Sequence, residues 1–403
     1  MLARPSRSRT SAVRLALLPL FTLLAGPALA QLGTTGPQIA IAHRGASAYA
    51  PEHTFFAYDL AVRQDADMLE CDLILSKDEV PMCIHDETVD RTTGGTPTGR
   101  VDSYTLAELR QMDFGSWFNT SNPTAAKPEY AGAKIVTLEE QLDCYLRVNP
   151  KMRFHIETKD SAGGRAEQIL FEMLTRKGLI ATGDVAGGNV RSSTIVLQSF
   201  DAGSLERMKG LTDTIPTAFL FAAPDQTSGP WLLAGTGPDY IDAFAPNSAV
   251  LLLDATAVQR FHAGGHDVHT WTVNDSQQMG VLLDQGVDGI FTNNPDLLRA
   301  AIAARDSGTS VEERGANPAD FAPGCPGIAG RVTSKQGPGD VWEPTGNRGV
   351  RLKAVAGGSS SSGGSGGSVV PPPAAVDGGR FGGGALPALL LAVLGGFALL
   401  RRR

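Results

Sequence analysis

The chain has 403 residues, of which 42% are hydrophobic and 19% are charged, and its formal net charge is −7. This composition is typical of a globular protein with enough apolar residues for one large α/β domain. The acidic balance argues against nucleic acid as a partner and favours metal cations.

The first 30 residues are predicted to be a signal peptide. Four arginines give a basic start, residues 15–24 form an apolar core, and Ala28-Leu29-Ala30 supplies the small residues of a cleavage site. We therefore expect signal peptidase to cleave before Gln31 and the protein to be exported. A first transmembrane anchor is the alternative, but the apolar run is short for that role.

From residue 31 to residue 305, short apolar stretches alternate with segments of helical periodicity. This alternation predicts parallel sheet, and eight units in about 275 residues fit a (β/α)8 TIM barrel. The predicted strands are residues 39–42, 68–75, 80–84, 152–158, 194–198, 217–221, 268–273 and 289–292, with 240–244 as an additional candidate. The predicted helices include residues 54–64, 166–177, 202–209 and 276–284. The active site of such a barrel lies at the carboxyl ends of the strands.

One connection is too long for an ordinary loop. Between the third and fourth predicted strands, residues 86–135 contain the turn-rich Arg91-Thr92-Thr93-Gly94-Gly95, a helical segment at 105–112 and the aromatic pair Trp117-Phe118. We interpret this stretch as a small inserted subdomain that lies over the mouth of the barrel.

Acidic residues occupy two of the predicted strands near their carboxyl ends. Glu70 and Asp72 are two residues apart, so strand alternation puts both side chains on one face, and Glu157 with Lys159 repeats this spacing. A single Glu-x-Asp is more typical of a surface strand end. Three carboxylates from two strands, with histidines at matching strand ends, indicate a hard oxygen site that suits Ca²⁺ or Mg²⁺ better than zinc.

Two histidines, His43 and His85, directly follow predicted strands. An imidazole titrates near neutral pH and can serve as an acid or a base. Arg44 offers a planar fork for phosphate oxygens, and Lys159 adds a second positive charge. Together with the carboxylates, these residue types predict phosphodiester chemistry.

An ordered set of motifs resembles the glycerophosphodiester phosphodiesterase family over about residues 38–303. The motifs are His43-Arg44-Gly45-Ala46, Pro51-Glu52-His53-Thr54, Glu70-x-Asp72, His85-Asp86, Arg91-Thr92-Thr93, Glu157-x-Lys159, Gln198-Ser199-Phe200, Trp271-Thr272-Val273-Asn274 and Asp288-Gly289-Ile290-Phe291-Thr292. His53 stands where many members have Asn, and the His form is similar to the periplasmic, calcium-using branch.

The resemblance implies a metal-dependent barrel enzyme that hydrolyses glycerophosphodiesters to sn-glycerol 3-phosphate and an alcohol. It implies one divalent cation, Ca²⁺ before Mg²⁺. The implied site residues are His43 and His85 for acid–base catalysis; Glu70, Asp72 and Glu157 for the metal; and Arg44, Lys159, Glu52 and Trp271 for phosphate and substrate. The sequence leaves open which histidine is the acid, and whether water or the glycerol 2-hydroxyl attacks.

The chain has four cysteines, at positions 71, 83, 144 and 325, which allow up to two disulfides in an exported protein. Alternation places Cys83 on the face of His85 and Cys71 on the opposite face, so we expect direct pairing of these two cysteines to be strained. We favour a bond between Cys144 and Cys325. The sequence has no Cys-x-x-Cys spacing, which argues against thiol ligation of a metal.

The sequence after the barrel divides into three predicted segments. Residues 306–356 form an irregular extension, 357–384 a flexible Gly/Ser/Pro-rich linker, and 385–403 a short apolar helix closed by three arginines. This end resembles the GlyGly-type C-terminal sorting signals of Gram-negative bacteria, which implies membrane contact and then removal by an intramembrane protease. A permanent anchor is the alternative. We expect a periplasmic, cell-surface or secreted protein, and loss of both ends would remove seven arginines and change the net charge from −7 to −14.

Two other functions are alternatives at this level. A phospholipase D-like hydrolase of intact lysophospholipid or sphingolipid could use the same barrel, although the sequence indicates no broad apolar or basic docking patch. A non-catalytic surface-displayed binding module is expected to have lost a metal ligand or a histidine, and the sequence retains all of them.

Overall fold

A computed structural model describes residues 37–159, 162–180 and 190–305. The strands of these residues are β1 (Ile39–Ala42), β2 (Met68–Leu75), β3 (Pro81–Cys83), β4 (Val136–Thr137), β5 (Arg153–Thr158), β6 (Ile195–Ser199), β7 (Thr217–Phe221), β8 (Ala243–Pro246), β9 (Asp267–Thr270) and β10 (Gly289–Thr292). The α-helices are α1 (Phe55–Arg63), α2 (Leu106–Leu109), α3 (Ser116–Ser121), α4 (Leu138–Val148), α5 (Arg165–Arg176), α6 (Ala202–Leu211), α7 (Ser228–Ala234), α8 (Ser248–Leu253), α9 (Ala257–Ala263), α10 (Ser276–Asp284) and α11 (Pro295–Arg305). Short 3₁₀ helices cover Val101–Ser103, Pro128–Tyr130 and Ala162–Gly164.

Four predicted segments fall outside the described residues: the signal peptide at 1–30, the extension at 306–356, the linker at 357–384 and the C-terminal helix at 385–403. Among the helices that the structure describes, none has both the length and the apolar character needed to cross a bilayer.

Eight strands form a closed parallel barrel. Their order is β1, β2, β5, β6, β7, β8, β9 and β10, and β1 pairs with both β2 and β10. Ile41 of β1 lies opposite Met68 on one side and Phe291 on the other, which closes the cylinder. The prediction of a (β/α)8 barrel is therefore confirmed.

Strand alternation decides which side chains enter the barrel. Ile39 and Ile41 of β1 belong to an apolar cluster of the interior, whereas Ala40 and Ala42, which alternate with them, pack in the clusters outside the barrel. Met68 of β2 joins the same interior cluster, so Glu70 and Asp72 follow it on the inward face. The pattern of burial thus sends the acidic side chains to the carboxyl end of the barrel interior.

One predicted barrel strand is wrong, and the additional candidate is real. β3, within predicted strand 80–84, runs antiparallel to β2, with Leu73 opposite Cys83, and then pairs with β4. Only five residues separate β2 from β3, which is too few for the crossover that a parallel pair needs. β8, which overlaps the candidate at 240–244, takes the sixth place in the barrel.

The insertion accordingly follows the second barrel strand rather than the third. We define residues 76–137 as the inserted segment, which contains β3, β4, α2 and α3 and includes the predicted stretch 86–135. It has a small apolar core of its own, in which Val89, Val101 and Leu109 are fully buried. Tyr130 of this segment donates a hydrogen bond to the carbonyl of Tyr49 at 3.0 Å, so the segment rests on the connection between β1 and α1.

Cys71 of β2 and Cys83 of β3 form a disulfide, although alternation led us to expect that their direct pairing would be strained. Residues opposite each other in an antiparallel pair point the same way, so Cys83 shares the face of Leu73 and hence of Cys71. The expectation failed because the regular strand ends at Cys83, and the alternation does not continue to His85. The pairing of Cys144 with Cys325 stays a prediction, since Cys325 lies outside the described residues.

Two neutral histidines fill the barrel interior below the mouth. His155 Nε2 and His269 Nδ1 are 3.1 Å apart, both side chains are fully buried, and the ring of Phe291 packs against them. Burial lowers the pKa of both residues, that of His269 to about 4.

This burial predicts acid sensitivity. The folded-state pKa of His269 lies below its unfolded value near 6.5, so the unfolded chain binds more protons as the pH falls from 6.5 to 4. The free energy of unfolding therefore decreases through that window, by about 2 kcal/mol at pH 5 for this residue alone. Urea unfolding at pH 7.5 and pH 5 should show a smaller loss for His269→Gln than for the wild type. Equal losses would contradict the prediction.

Candidate active site

Seven of the nine predicted site residues line one cavity at the carboxyl end of the barrel. They are His43, Arg44, Glu70, His85, Glu157, Lys159 and Trp271. Gln198, Phe200, Leu220, Thr272 and Phe291 complete the wall. Asp72 lies behind the wall and contacts two of its cations, whereas Glu52 lines a separate small cavity under the inserted segment.

The loop after β1 holds two of these residues in a tight turn. Arg44 has a φ of +59° and Gly45 a φ of +83°, so both adopt the left-handed region. A Cβ atom at position 45 would lie 2.6 Å from the backbone of Ala57, which only glycine avoids. The turn aims the backbone N–H of Arg44 at Glu70, whose Oε2 accepts it at 2.7 Å.

Three carboxylates lie together at the base of the cavity: Glu70 and Glu157 line it, and Asp72 lies behind them, and all three are almost entirely buried. Burial and the nearby charge of Asp72 raise the pKa of Glu70 well above its usual range and that of Glu157 to about 8. Such raised values mark a place where negative charges repel each other, and a bound cation would relieve that repulsion.

Asp72 is the centre of the charge network. Its Oδ2 accepts a hydrogen bond from His53 Nε2 at 2.8 Å and lies 3.3 Å from Arg44 Nε, while Oδ1 lies 3.7 Å from Lys159 Nζ. Burial alone would raise the pKa of Asp72, but His53, Arg44 and Lys159 outweigh it and hold the pKa well below its usual range. Asp72 therefore stays ionised beside two carboxylates that resist ionisation.

The residues fit a hard divalent cation. Within the described residues, the buried Oδ1 of Asp72 and the buried Oε1 of Gln198 have no hydrogen-bond partner, so acceptor oxygens are available at this floor. Ligand atoms of His53, Glu70 and Asp72 lie within 4.8 Å of one another. The sequence predicts no metal or catalytic role for His53, because its inward position depends on a φ of +54° that the sequence does not reveal. Both of its ring nitrogens are engaged, by Asp72 and by Tyr58, so His53 orients Asp72.

The two catalytic candidates differ in what holds their rings. Nδ1 of His43 lies 2.7 Å from the amide oxygen of Asn293, and burial, together with Arg44, lowers the pKa of His43 to about 3. Nδ1 of His85 lies 2.7 Å from a carboxylate oxygen of Asp86. The ring of His43 thus contacts a neutral amide, whereas the ring of His85 contacts a carboxylate.

Glu52 and Trp271 have more limited contacts with the cavity. Both oxygens of Glu52 accept hydrogen bonds from arginines, Arg44 at 3.2 Å and Arg91 at 2.7 and 2.9 Å, so its link to the site runs through Arg44. Trp271 is anchored by a 2.8 Å hydrogen bond from its Nε1 to the carbonyl of Ala245 and meets Phe200 edge to face at 5.3 Å. Gln198 is a cavity residue that was not predicted from the sequence. It lies two residues after Val196 of β6, whose side chain packs inside the barrel, so strand alternation also points Gln198 inward and could have identified it.

A family model described as the glycerophosphoryl diester phosphodiesterase family matches residues 43–297, which include every residue of this cavity. The chain belongs to this family. A glycerophosphodiester phosphodiesterase of Bacillus subtilis is 37% identical over 269 residues, which are 64% of this chain and 84% of that protein. One of Caldanaerobacter subterraneus is 28% identical over 64% of this chain and 96% of its own length.

A solved relative gives the same fold. The structure of an Oleispira antarctica phosphodiesterase in complex with the product sn-glycerol 3-phosphate is 27% identical, with a TM-score of 0.53 over 66% of this chain and 96% of that one. The predicted enzyme class, a glycerophosphodiester phosphodiesterase, is confirmed by the family and by these relatives. The alternative of a non-catalytic binding module is set aside.

Proposed function

We propose that the protein hydrolyses glycerophosphodiesters to sn-glycerol 3-phosphate and an alcohol, using one divalent cation and the acid–base pair His43 and His85. One observation carries the proposal: both histidines line the cavity that also holds Arg44, Lys159 and the carboxylates Glu70 and Glu157. The product bound in the Oleispira antarctica relative supports sn-glycerol 3-phosphate as the product here.

Glu70, Asp72 and Glu157 would hold the cation, and His53 would keep Asp72 in place. Carboxylate oxygens favour Ca²⁺ or Mg²⁺, and we propose Ca²⁺ because the His53 form of the motif resembles the calcium-using branch of the family. A bound divalent cation would supply positive charge beside a non-bridging phosphate oxygen. Arg44 and Lys159 would bind the other phosphate oxygens, and Trp271 with Phe200 would pack against the apolar edge of the glycerol moiety.

We assign His43 as the general base. The amide oxygen of Asn293 accepts from Nδ1, so the proton of the neutral ring resides there and Nε2 carries the lone pair. The low pKa of His43 keeps the ring neutral at neutral pH. His43 would take a proton from the attacking oxygen, that of water or of the glycerol 2-hydroxyl.

We assign His85 as the general acid. The carboxylate of Asp86 accepts a hydrogen bond from Nδ1 and orients the ring, so that in its protonated form Nε2 would donate a proton as the phosphorus–oxygen bond breaks. The bonding electron pair leaves with the alcohol oxygen, which takes up that proton. The side chain of His85 is about one-third exposed, at 34%, so the alcohol would leave toward solvent.

We also propose that the protein acts outside the cytoplasm, as the predicted signal peptide implies. The disulfide between Cys71 and Cys83 supports this, because such bonds persist mainly in oxidising compartments. The tail at 385–403 would hold the chain at a membrane until it is processed.

A product assay tests the proposed function. Glycerophosphocholine should yield sn-glycerol 3-phosphate and choline, and chelator should abolish turnover because the site then lacks the divalent cation that would offset the charge of the carboxylates and of the phosphate. Addition of Ca²⁺ should restore activity more fully than Mg²⁺. Release of phosphocholine, or full activity in chelator, would contradict the proposal. Faster hydrolysis of micellar lysophosphatidylcholine would favour the phospholipase D-like alternative.

A further inference from the structure

Arg91 is a charged residue that the mechanism above does not use. It belongs to the inserted segment and does not line the active-site cavity. Its guanidinium donates to both oxygens of Glu52, at 2.7 and 2.9 Å, and to both oxygens of Asp86, at 2.7 and 3.1 Å. Four charge-assisted hydrogen bonds from one side chain fix both carboxylates in direction as well as in position.

Each of these carboxylates contacts a residue of the site. Asp86 Oδ1 is the atom that holds His85 Nδ1, and Glu52 Oε1 is the atom that holds Arg44 Nη1. Arg91 Nη2 lies 2.7 Å from Glu52 Oε1 and 3.1 Å from Asp86 Oδ1. Arg91 Nη2 therefore links Asp86, the partner of His85, to Glu52, the partner of Arg44.

The inserted segment keeps Arg91 in this position. The guanidinium carbon lies 5.2 Å from the ring centre of Trp117, a cation–π contact within the same segment. The Asp86 carboxylate is itself partly exposed, at 29%, and without Arg91 it could turn to solvent. Rotation of Asp86 would release the ring of His85.

We propose that Arg91 is a positioning residue for leaving-group protonation: it fixes the Asp86 carboxylate, which holds His85 with Nε2 directed at the departing oxygen. This inference rests on the proposed role of His85 as the general acid. In this proposal the hydrogen bonds to Glu52 hold Arg91 in place, and Arg91 acts on catalysis through Asp86.

The dependence on the leaving group tests this role. Choline leaves as a poor alkoxide and needs a proton, whereas p-nitrophenolate leaves readily without one. With glycerophosphocholine, we expect Arg91→Ala to lower kcat by about 10²-fold, since general acid catalysis contributes about 10²–10⁴-fold. With the p-nitrophenyl ester of glycerol phosphate, the same variant should retain most of its kcat.

Chemical rescue and matched variants complete the test. Arg91 is 39% exposed, so added guanidinium ions should reach the gap in Arg91→Ala and restore part of the kcat for glycerophosphocholine. Lysine cannot span both carboxylates with a rigid fork, so Arg91→Lys should remain defective. Arg100→Ala is the control, because Arg100 is an exposed arginine of the same segment that pairs with Glu87 and Asp102, and it should match the wild type.

The outcomes are distinguishable. Equal losses of kcat with both substrates, a rise in KM alone, or wild-type kinetics for Arg91→Ala would overturn the role of Arg91. His85→Ala is measured in parallel. If its loss does not depend on the leaving group, the proposed acid itself is wrong, whereas leaving-group dependence in His85→Ala but not in Arg91→Ala refutes only the present inference.

Discussion

Asp72→Asn is expected to lower turnover of glycerophosphocholine by on the order of 10³-fold, the effect of losing one strong electrostatic contact to the transition state. The substitution keeps the shape of the side chain and removes its charge. Asp72 is 1% exposed and serves His53, Arg44 and Lys159 at once, so no other carboxylate can take its place. Calcium binding, followed by calorimetry, should weaken together with turnover.

A folded control is needed because breaking a buried ion pair from one side destabilises a protein by about 3–5 kcal/mol. Asp143→Asn is suitable, since Asp143 lies on helix α4, pairs with Lys177 and does not line the cavity. It should keep wild-type calcium affinity and turnover. Circular dichroism and thermal melting would verify that Asp72→Asn is folded at the assay temperature. Undiminished calcium binding in that variant would show that Asp72 is not a ligand.

The sequence predicts the barrel and most of the site because both depend on local rules. Alternation along β2 sends Glu70 and Asp72 inward, and the same rule on β5 sends Glu157 inward. Lys159 follows directly after β5 and lines the same cavity. In a TIM barrel the active site lies at the carboxyl ends of the strands, so residues near those ends face the site. These positions therefore required no knowledge of which strands are neighbours.

The features that the sequence did not reveal depend on chain reversal. His85 reaches the cavity because β3 returns alongside β2, with Ile84 N donating to the carbonyl of Asp72 at 2.9 Å, and not because it ends a barrel strand. The same reversal joins Cys71 to Cys83. A short apolar run is compatible with either strand direction, and only the tight turn before it distinguishes them.

The contacts that the inserted segment makes with the barrel could not be predicted from the sequence either. Arg91 is 39 positions from Glu52 in the chain, and its position depends on how a stretch of irregular structure folds back on the barrel. Helix α2 covers only Leu106–Leu109, although the sequence predicts a helical segment over 105–112. A capping box of Thr105 and Glu108 starts the helix, and the chain leaves the helical path after one turn. Periodicity carries little information in such segments, since few of their residues follow a regular face.

The second large effect is expected for His43→Ala, which should lower kcat by about 10²–10⁴-fold with both leaving groups, because the attacking oxygen must lose its proton in either case. The distinction from His85→Ala follows from the partners of the two rings. His43 is held by the neutral amide of Asn293, and its low pKa keeps it unprotonated, whereas His85 is held by the Asp86 carboxylate.

Single-turnover rates with glycerophosphocholine and with the p-nitrophenyl ester separate the two steps. His266→Gln is the matched control, because His266 is bonded to Thr236 and packed against Phe244 and does not line the cavity. It should match the wild type with both substrates. If the defect of His43→Ala disappears with the p-nitrophenyl ester while that of His85→Ala persists, then His43 protonates the departing oxygen and the two assignments must be exchanged.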